Sequence, residues 1–282
     1  MHIDDYHYFA RLLKKHSGLV IGDDKLYLLE SRLTPIMHKW GLKDLGEMAS
    51  RLRFGTDKSL LQTVIEAMTT NESFFFRDNT PFETLRDVIL PQMREARGNS
   101  KSLRIWSSAA STGQEPYSIA MVFDEDRARW HDWNIEIIGT DLSHEVIDRA
   151  KSGVYSQFEV QRGLPIHSLT RYFDKDADQW RVKPVIRNMV KFKQLNLLEP
   201  FQSLGTFDII FCRNVLIYFD SDTKADVLRR LGAVCASDGA LFLGAAETVL
   251  GLTTQFRPAR DRRGLYIPVT HPGFASSAAK IA

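Results

Sequence analysis

Apolar residues in the first part of the chain recur at steps of three and four. The first clear run is Leu26, Leu29, Leu33, Ile36 and Trp40, and the second is Leu60, Leu61, Val64, Ile65 and Met68. This spacing puts each run on one face of a helix and does not fit the alternation of a strand. Breaks at Ser17-Gly18, Gly41 and Phe54-Gly55-Thr56 divide residues 4–68 into a predicted bundle of about four helices. Pro35 lies inside the second helix and weakens the prediction at its middle.

The pattern changes at Leu103, where short apolar runs begin to alternate with helical segments. The runs are Leu103–Ser107, Ile135–Thr140, Met189–Gln194, Phe207–Cys212 and Ala240–Gly244. Apolar strands separated by helices are typical of a mostly parallel sheet with crossover helices. The sequence therefore predicts an α/β fold with a Rossmann-like, doubly wound sheet, preceded by a small all-α domain.

The change of pattern puts a domain boundary near residues 70–90. We expect a helical domain over residues 1–75 and an α/β domain over residues 76–267. Residues 165–190 interrupt the alternation with short charged and aromatic segments, and both a hairpin-like β insertion and a plain surface loop fit them. Residues 268–282 have no periodic apolar face, which predicts a flexible tail.

Composition narrows the functional classes. With 44% hydrophobic and 26% charged residues over 282 positions, the chain can bury a core without disulfides or a structural metal. A net charge of +2 is too small to predict a nucleic-acid surface. Cys212 and Cys235 lack the spacing of a redox pair or a zinc cluster, so reduced core thiols in a cytoplasmic protein are expected. The acidic start and the lack of a run of ~18 apolar residues predict neither export nor membrane insertion.

Small residues follow the first predicted strand. The turn Ser107–Gly113 lets a ligand approach the backbone, and Pro116 suits the first turn of the next helix. In a doubly wound sheet this turn is the ligand site, although small residues also permit tight packing of a helix on the sheet. Asp141 ends the second predicted strand, where an acidic residue accepts hydrogen bonds from ribose hydroxyls. A cap on the helix from Ser143 is the alternative role for Asp141.

Two asparagines follow later strands at the same predicted edge. Asn214 comes just after Phe207–Cys212, where its amide could hold a ligand carboxylate or a base edge; a turn-forming asparagine is the alternative. Asn196 and Leu197 follow the strand that ends at Gln194. Short polar groups with apolar neighbours suit an adenosine better than a metal ion or a phosphate.

The segment Met68–Arg77 places three phenylalanines beside small polar residues and an arginine. Packing at a domain junction explains the phenylalanines. It leaves Asn71, Ser73 and Arg77 unexplained.

Four segments then complete an ordered signature: Thr70–Arg77, Ser111–Ser118, Gly139–Asp141 and Phe211–Phe219. Together they resemble the CheR family of chemotaxis receptor methyltransferases, over about residues 5–267. The resemblance implies a methyltransferase sheet, a helical amino-terminal receptor-docking domain, and transfer of a methyl group from S-adenosylmethionine to receptor glutamates. The implied products are glutamate methyl esters and S-adenosylhomocysteine, with no metal. The implied partners are the cytoplasmic helical domains of chemoreceptors, and nothing in the sequence demands more than a monomer.

The resemblance also implies site residues. Those expected to line the S-adenosylmethionine pocket are Asn71, Ser73, Arg77, Glu115, Asp141, Asn196, Leu197, Asn214 and Val215. Tyr218 is expected to border the substrate carboxylate, and Arg77 to seat the cofactor near the reaction centre. The expected docking residues on a basic face are Arg32, Lys39, Lys43, Arg51 and Arg53. An ordinary solvated face is the alternative for these five.

This chain departs from the family pattern in three places. Ser73 stands where many members carry threonine, a change that keeps the hydroxyl. Gln114 stands where an acid is frequent. Residues 174–184 are shorter than in members whose insertion binds a receptor's carboxyl-terminal pentapeptide, so such tethering is not expected.

Two other functions compete with this reading. A nitrogen-directed methyltransferase often carries an Asn-Pro-Pro-Tyr-like stretch after the fourth strand, whereas Val215-Leu216-Ile217 follows Asn214 here. A module that binds S-adenosylmethionine or docks on receptors without turnover is the third reading, and the polar pocket residues disfavour it.

Overall fold

The structure, a computed structural model, describes residues 2–55 and 57–270. The chain forms two compact units. One runs up to Thr70 and includes Tyr218–Thr223, and the other contains Asn71–Ile217 and the chain from Lys224 onward. Most of the predicted tail, residues 271–282, lies outside the described residues.

Among the described residues up to Thr70, the first unit forms the α-helices α1 (Ile3–Ser17), α2 (Leu26–Lys39), α3 (Leu45–Arg53) and α4 (Lys58–Met68). Side chains at helical spacing form its core, and Phe9, Leu29, Leu33 and Val64 are fully buried. α1 ends at Gly18, which adopts a left-handed φ of 76° and donates its N–H to the carbonyl of Lys14. The predicted helices are confirmed, and α2 continues through Pro35.

The first helix of the second unit is composed of α5 (Thr80–Thr84), a π-helical stretch (Leu85–Ile89) and α6 (Leu90–Ala96). The later helices are α7 (Gln114–Glu125), α8 (Arg127–Trp130), α9 (His144–Ser152), α10 (Gln157–Gln161), α11 (Ile166–Tyr172), α12 (Pro184–Arg187) and α13 (Ser221–Val234). The strands are β1 (Ser102–Ser107), β2 (Asn134–Asp141), β3 (Val154–Ser156), β4 (Phe173–Asp176), β5 (Gln179–Val182), β6 (Val190–Gln194), β7 (Phe207–Cys212), β8 (Cys235–Leu243), β9 (Phe256–Pro258) and β10 (Leu265–Pro268).

Seven of these strands form the main sheet, in the order β6-β2-β1-β7-β8-β10-β9. The first five run parallel, and β10 is antiparallel to both of its neighbours. The strand order reverses between β1 and β7, which confirms the doubly wound sheet and puts its switch point there. All five predicted strands are present, and β8 starts at Cys235 instead of Ala240. The short strands β9 and β10 were not predicted.

A separate three-stranded sheet has the order β3-β5-β4. β4 and β5 form an antiparallel hairpin in which Lys175 pairs with Trp180. Its turn contains Ala177, whose φ is 51°. Of the two readings of residues 165–190, the β hairpin is confirmed and the plain loop is wrong. β3 pairs with this hairpin although it precedes the predicted insertion.

Candidate cofactor site

Five parallel strands of the main sheet end along one edge. Their last residues are Ser107, Asp141, Gln194, Cys212 and Leu243. Because parallel strands share their direction, the residues that follow each strand lie at the same edge. The predicted cofactor residues of β2, β6 and β7 are therefore brought to this edge by the topology.

The turn after β1 is held by packing as well as by backbone geometry. Gly113 has a left-handed φ of 98° and precedes α7. A Cβ atom at this position would lie 3.0 Å from both the Ala150 Cβ and the Tyr155 hydroxyl. Tyr155 also donates a hydrogen bond of 2.6 Å to the carbonyl of Thr112. The tight-packing explanation of the small residues therefore holds at Gly113.

Asp141 links the ends of two strands. Its Oδ2 accepts the N–H of Ser111 at 2.9 Å, and its Oδ1 accepts the N–H of Ser143 at 3.1 Å. The cap of α9 is Ser143 itself, whose hydroxyl accepts the N–H of Val146 at 3.4 Å. Asp141 is thus not the helix cap, and its carboxylate lies between the turn after β1 and the end of β2.

The segment Asn71–Asp78 joins this edge through its first residue. The hydroxyl of Ser111 donates to the carbonyl of Asn71 at 2.7 Å, which brings a predicted cofactor residue to the turn after β1. Further along, the N–H of Phe76 donates to the hydroxyl of Ser118 at 3.0 Å.

Arg77 folds back on its own segment. Its Nη1 donates to the carbonyl of Glu72 at 2.9 Å, and its guanidinium carbon lies 5.4 Å from the centre of the Phe74 ring. The guanidinium carbon of Arg162 lies 4.4 Å from the centre of the same ring. Nη2 of Arg162 also forms an ion pair of 2.5 Å with Oε1 of Glu72. Ser73, between these residues, is half-buried.

Glu115, in the first turn of α7, is held by two partners. The hydroxyl of Ser107 donates to its Oε1 at 2.8 Å, and Nη1 of Arg213 donates to its Oε2 at 2.9 Å. Burial raises the pKa of Glu115 above its ordinary value, and the charge of Arg213 opposes that rise. Sequence reasoning did not select Arg213. A single charge directly after the buried run Phe207–Cys212 was the available signal, because such a charge needs a partner.

The residues after β7 are held by an acid that sequence reasoning also missed. Asn214 has a left-handed φ of 58°, as a turn-forming asparagine adopts. The N–H groups of Asn214 and Val215 donate to the two oxygens of Glu247, at 2.8 and 2.9 Å. A lone acid four residues after the end of the apolar strand β8 was the available signal.

Asn196 and Leu197 form the turn after β6. The side-chain oxygen of Asn196 accepts the N–H of Leu198 at 3.0 Å. Leu197 is buried, and its carbonyl accepts Nη2 of Arg230 at 2.6 Å. Both predicted residues therefore lie at the expected edge, in a turn fixed by hydrogen bonds.

Tyr218 groups with the first unit. Its carbonyl accepts the N–H of Val20 at 3.0 Å. Two residues later, Asp220 forms an ion pair of 2.6 Å with Lys14 of α1. Within the first unit, Tyr218 and Asp220 are thus bonded to the chain after α1 and to α1 itself.

The five predicted docking residues differ in whether they already bind other groups of the protein by hydrogen bonds or ion pairs. Arg32 donates to the carbonyls of Met68 and Thr69 at 2.8 and 2.9 Å, so it caps the end of α4. Arg51 pairs with Asp57 and Arg53 with Asp5, at 2.8 and 2.9 Å. Lys39 and Lys43 are exposed, and neither ammonium has an ion-pair partner within residues 2–55 and 57–270.

Neither a cluster of metal ligands nor a membrane-spanning helix is present in residues 2–55 and 57–270. In the part of the chain that the structure describes, no three His, Cys, Asp or Glu side chains form a group that could hold a metal ion. None of the helices in that part combines the length and the apolar character needed to cross a membrane.

Comparison with known families gives a match over nearly the whole chain. Residues 71–265 match the family profile described as CheR methyltransferase, SAM binding domain, and residues 4–69 match CheR methyltransferase, all-alpha domain. This chain belongs to the CheR methyltransferase family. The CheR resemblance inferred from four sequence segments is confirmed, and with it a methyltransferase domain that binds S-adenosylmethionine.

Curated relatives of this CheR-family chain are similar to it in sequence over most of their length. Chemotaxis protein methyltransferase 1 of Pseudomonas aeruginosa is 42% identical over 266 residues, which cover 93% of this chain and 96% of the relative. Chemotaxis protein methyltransferase 1 of Vibrio cholerae is 39% identical over 264 residues, 93% and 95% of the two chains. The chemotaxis protein methyltransferase of Escherichia coli is 35% identical over 265 residues, 90% and 88% of the two chains.

The side chains at the sheet edge of this CheR-family chain suit S-adenosylmethionine chemically. The cofactor presents ribose hydroxyls and an amine as donors, an adenine with a polar edge, and apolar faces. The chain at and just after these strand ends supplies the carboxylates of Asp141 and of the largely buried Glu115, the amide of Asn214, and the apolar side chains of Leu197 and Val215. Such a mixture of few polar groups and apolar walls is typical of cofactor pockets.

Proposed function

We propose that this protein transfers a methyl group from S-adenosylmethionine to glutamate side-chain carboxylates of chemoreceptors, for adaptation in chemotaxis. The products are glutamate methyl esters and S-adenosylhomocysteine. The supporting observation is the acid-bearing sheet edge, with Asp141 joined to the turn after β1, in a chain whose relatives are named chemotaxis protein methyltransferases.

The proposed cofactor residues are those inferred from the sequence: Asn71, Ser73, Arg77, Glu115, Asp141, Asn196, Leu197, Asn214 and Val215. Asp141 is suited to the ribose hydroxyls because it ends β2 at the edge of the sheet. Asn71 is suited to the same pocket because its backbone is bonded to Ser111. Arg77 would seat the cofactor near the reaction centre once its guanidinium turns away from Glu72.

The proposed methyl transfer needs no proton transfer to or from a side chain of the protein. The bound cofactor supplies a methyl group on a positively charged sulfur. A glutamate carboxylate, with a pKa of about 4.3, is already ionised at neutral pH and attacks without a general base. The residues of the site therefore contribute alignment and exclusion of water, which makes the carboxylate a better nucleophile. We propose no metal, since the sulfonium is itself the electrophile.

We propose that Tyr218 borders the substrate carboxylate. Its carbonyl accepts the N–H of Val20, and the residue is half-buried. A phenol held in this way can donate a hydrogen bond to a carboxylate and orient it.

The proposed receptor surface is basic, because the partner is a helical cytoplasmic domain rich in glutamate. Among the five candidates, Lys39 and Lys43 have exposed ammonium groups without an ion-pair partner in residues 2–55 and 57–270. Arg51 and Arg53 already pair with acids, and Arg32 caps α4. Charge complementarity would then act mainly through the two lysines. We propose a cytoplasmic, monomeric enzyme that does not bind nucleic acid.

Methyl transfer with a labelled cofactor tests this function. Purified protein is incubated with methyl-labelled S-adenosylmethionine and receptor cytoplasmic fragments, and the receptor is then treated with mild base. A glutamate methyl ester releases the label as methanol, whereas a methylated nitrogen keeps it. No transfer at all would indicate a binding module. Asp141→Ala should abolish transfer, and Glu136→Ala on the same strand, whose carboxylate pairs with Arg104 and Lys191, should retain it.

A further inference from the structure

The carboxylate of Glu247 accepts hydrogen bonds from four backbone N–H groups. Its Oε1 accepts those of Val215 and Leu216, at 2.9 and 2.8 Å. Its Oε2 accepts those of Asn214 and Gly244, at 2.8 and 2.6 Å. The residue is only 8% exposed, so few water molecules can replace it as the acceptor. Such charge-assisted bonds are among the strongest in proteins.

The conformation at Asn214 explains why an anion is needed. Its φ of 58° turns the chain so that three consecutive N–H groups, from Asn214 to Leu216, point to one side. Consecutive N–H groups in such a turn form a concave site for an anion. Here the anion is a side chain of the same protein. Without it, the turn after β7 would leave buried donors unsatisfied and would adopt another conformation.

Gly244 makes room for this arrangement. A Cβ atom at Gly244 would lie 2.7 Å from Oε2 of Glu247 and 2.9 Å from Nδ2 of Asn214. The amide of Asn214 and the carboxylate of Glu247 therefore both lie against the backbone that leaves β8. The tyrosine hydroxyl of Tyr266 donates to the carbonyl of Glu247 at 3.3 Å, which further holds the acid in place.

We propose that Glu247 is a positioning residue for the cofactor: it sets the backbone of Asn214 and Val215, and through it the Asn214 amide, in the geometry that binds S-adenosylmethionine. The proposal rests on the proposed cofactor role of Asn214 and Val215. It assigns to Glu247 no contact with the cofactor. Its effect is carried entirely by the four backbone hydrogen bonds.

The substitution Glu247→Gln tests the proposal. A glutamine amide can accept two of the four N–H groups, but its NH₂ group faces the other two as a donor. We expect the Kd for S-adenosylmethionine, measured by calorimetry, to rise about tenfold or more. The matched control is Asp208→Asn, near the start of β7 and so at the other end of the strand from the cofactor edge. Its Oδ1 accepts from the side chain of Arg97, and its Oδ2 accepts from the N–H of Arg104. It should lower the melting temperature and leave the Kd unchanged.

A second variant covers the case in which Glu247→Gln does not fold. Gly244→Ala places a methyl group against the ends of the Glu247 and Asn214 side chains, and it should raise the Kd in the same direction. A merely structural role for Glu247 predicts a lower melting temperature with an unchanged Kd in the folded protein. That result for either variant would overturn the proposal.

The variant Asn214→Ala separates this inference from the assignment on which it rests. If Asn214→Ala weakens cofactor binding and the Glu247 and Gly244 variants do not, the positioning role is wrong and the site stands. If Asn214→Ala binds the cofactor as the unmodified protein does, the assigned role of Asn214 is wrong, and the role of Glu247 falls with it.

Discussion

Arg213 and Glu115 form an ion pair that is almost closed to solvent. Nη1 of Arg213 lies 2.9 Å from Oε2 of Glu115, and the two side chains are 1% and 11% exposed. Nη2 of Arg213 binds the carbonyl of Arg77 at 3.0 Å and the carboxylate of Asp78 at 2.7 Å. One buried guanidinium thus connects the acid of α7 with the segment that carries Arg77.

Removal of this guanidinium should be costly. We expect Arg213→Met to lower the free energy of unfolding by about 3–5 kcal/mol, because it leaves the buried Glu115 without its partner. We also expect weaker binding of S-adenosylmethionine, since Glu115 and Arg77 would both shift. Chemical denaturation and calorimetry measure the two effects. Arg97→Met is the control, because Arg97 also pairs with two acids, Asp208 and Asp238, and neither is a proposed cofactor residue. It should lower stability without changing the Kd. Normal stability of Arg213→Met would contradict the prediction.

Tyr218→Phe removes a single hydroxyl. We expect the rate of receptor methylation to fall about tenfold, the effect of losing one hydrogen bond to a charged group. The Kd for S-adenosylmethionine should stay nearly unchanged, because the proposed partner of the hydroxyl is the substrate. Initial rates with a receptor fragment and calorimetry with the cofactor make the distinction. A raised Kd would reassign Tyr218 to the cofactor.

Lys39→Glu combined with Lys43→Glu tests the receptor surface. We expect a higher KM for receptor fragments and an unchanged Kd for S-adenosylmethionine, because the two ammonium groups are exposed. The effect should weaken at high salt, since exposed charges are screened. Lys15→Glu combined with Lys58→Glu changes the net charge equally on the same unit and should leave KM unchanged. Equal KM values for the two double variants would remove Lys39 and Lys43 from the surface.

Asp220 should make stability depend on pH. Its hydrogen bond with Lys14, supported by Thr223, holds its pKa well below the ordinary value of 3.8. A lowered pKa in the folded state stabilises the fold above the ordinary pKa, and this contribution is lost as the pH falls further. Asp220→Asn should therefore melt at a lower temperature than the unmodified protein at pH ~7 and approach it below pH ~4. Thermal unfolding across this range measures the difference. A difference that is the same at every pH would contradict this role.

Much of the architecture could be read from local pattern. The apolar spacing of Leu26–Trp40 and Leu60–Met68 predicted α2 and α4, and the apolar runs predicted the five parallel strands of the main sheet. β9 and β3 contain three residues each, too few to show a period. Asp141 and Asn214 could be selected because a polar residue after an apolar strand stands out in the sequence.

Local sequence pattern was enough to predict the helices, the parallel strands, the family signature and the residues that reach the sheet edge. The pairing of the buried charges became visible only in the folded chain. The fold joins Arg213 to Glu115 across 98 positions and Glu247 to Asn214 across 33, and it uses Arg32 to cap α4. This difference arises because periodicity depends on neighbours along the chain. The partner of a buried charge depends on which distant segments the fold brings within hydrogen-bonding distance.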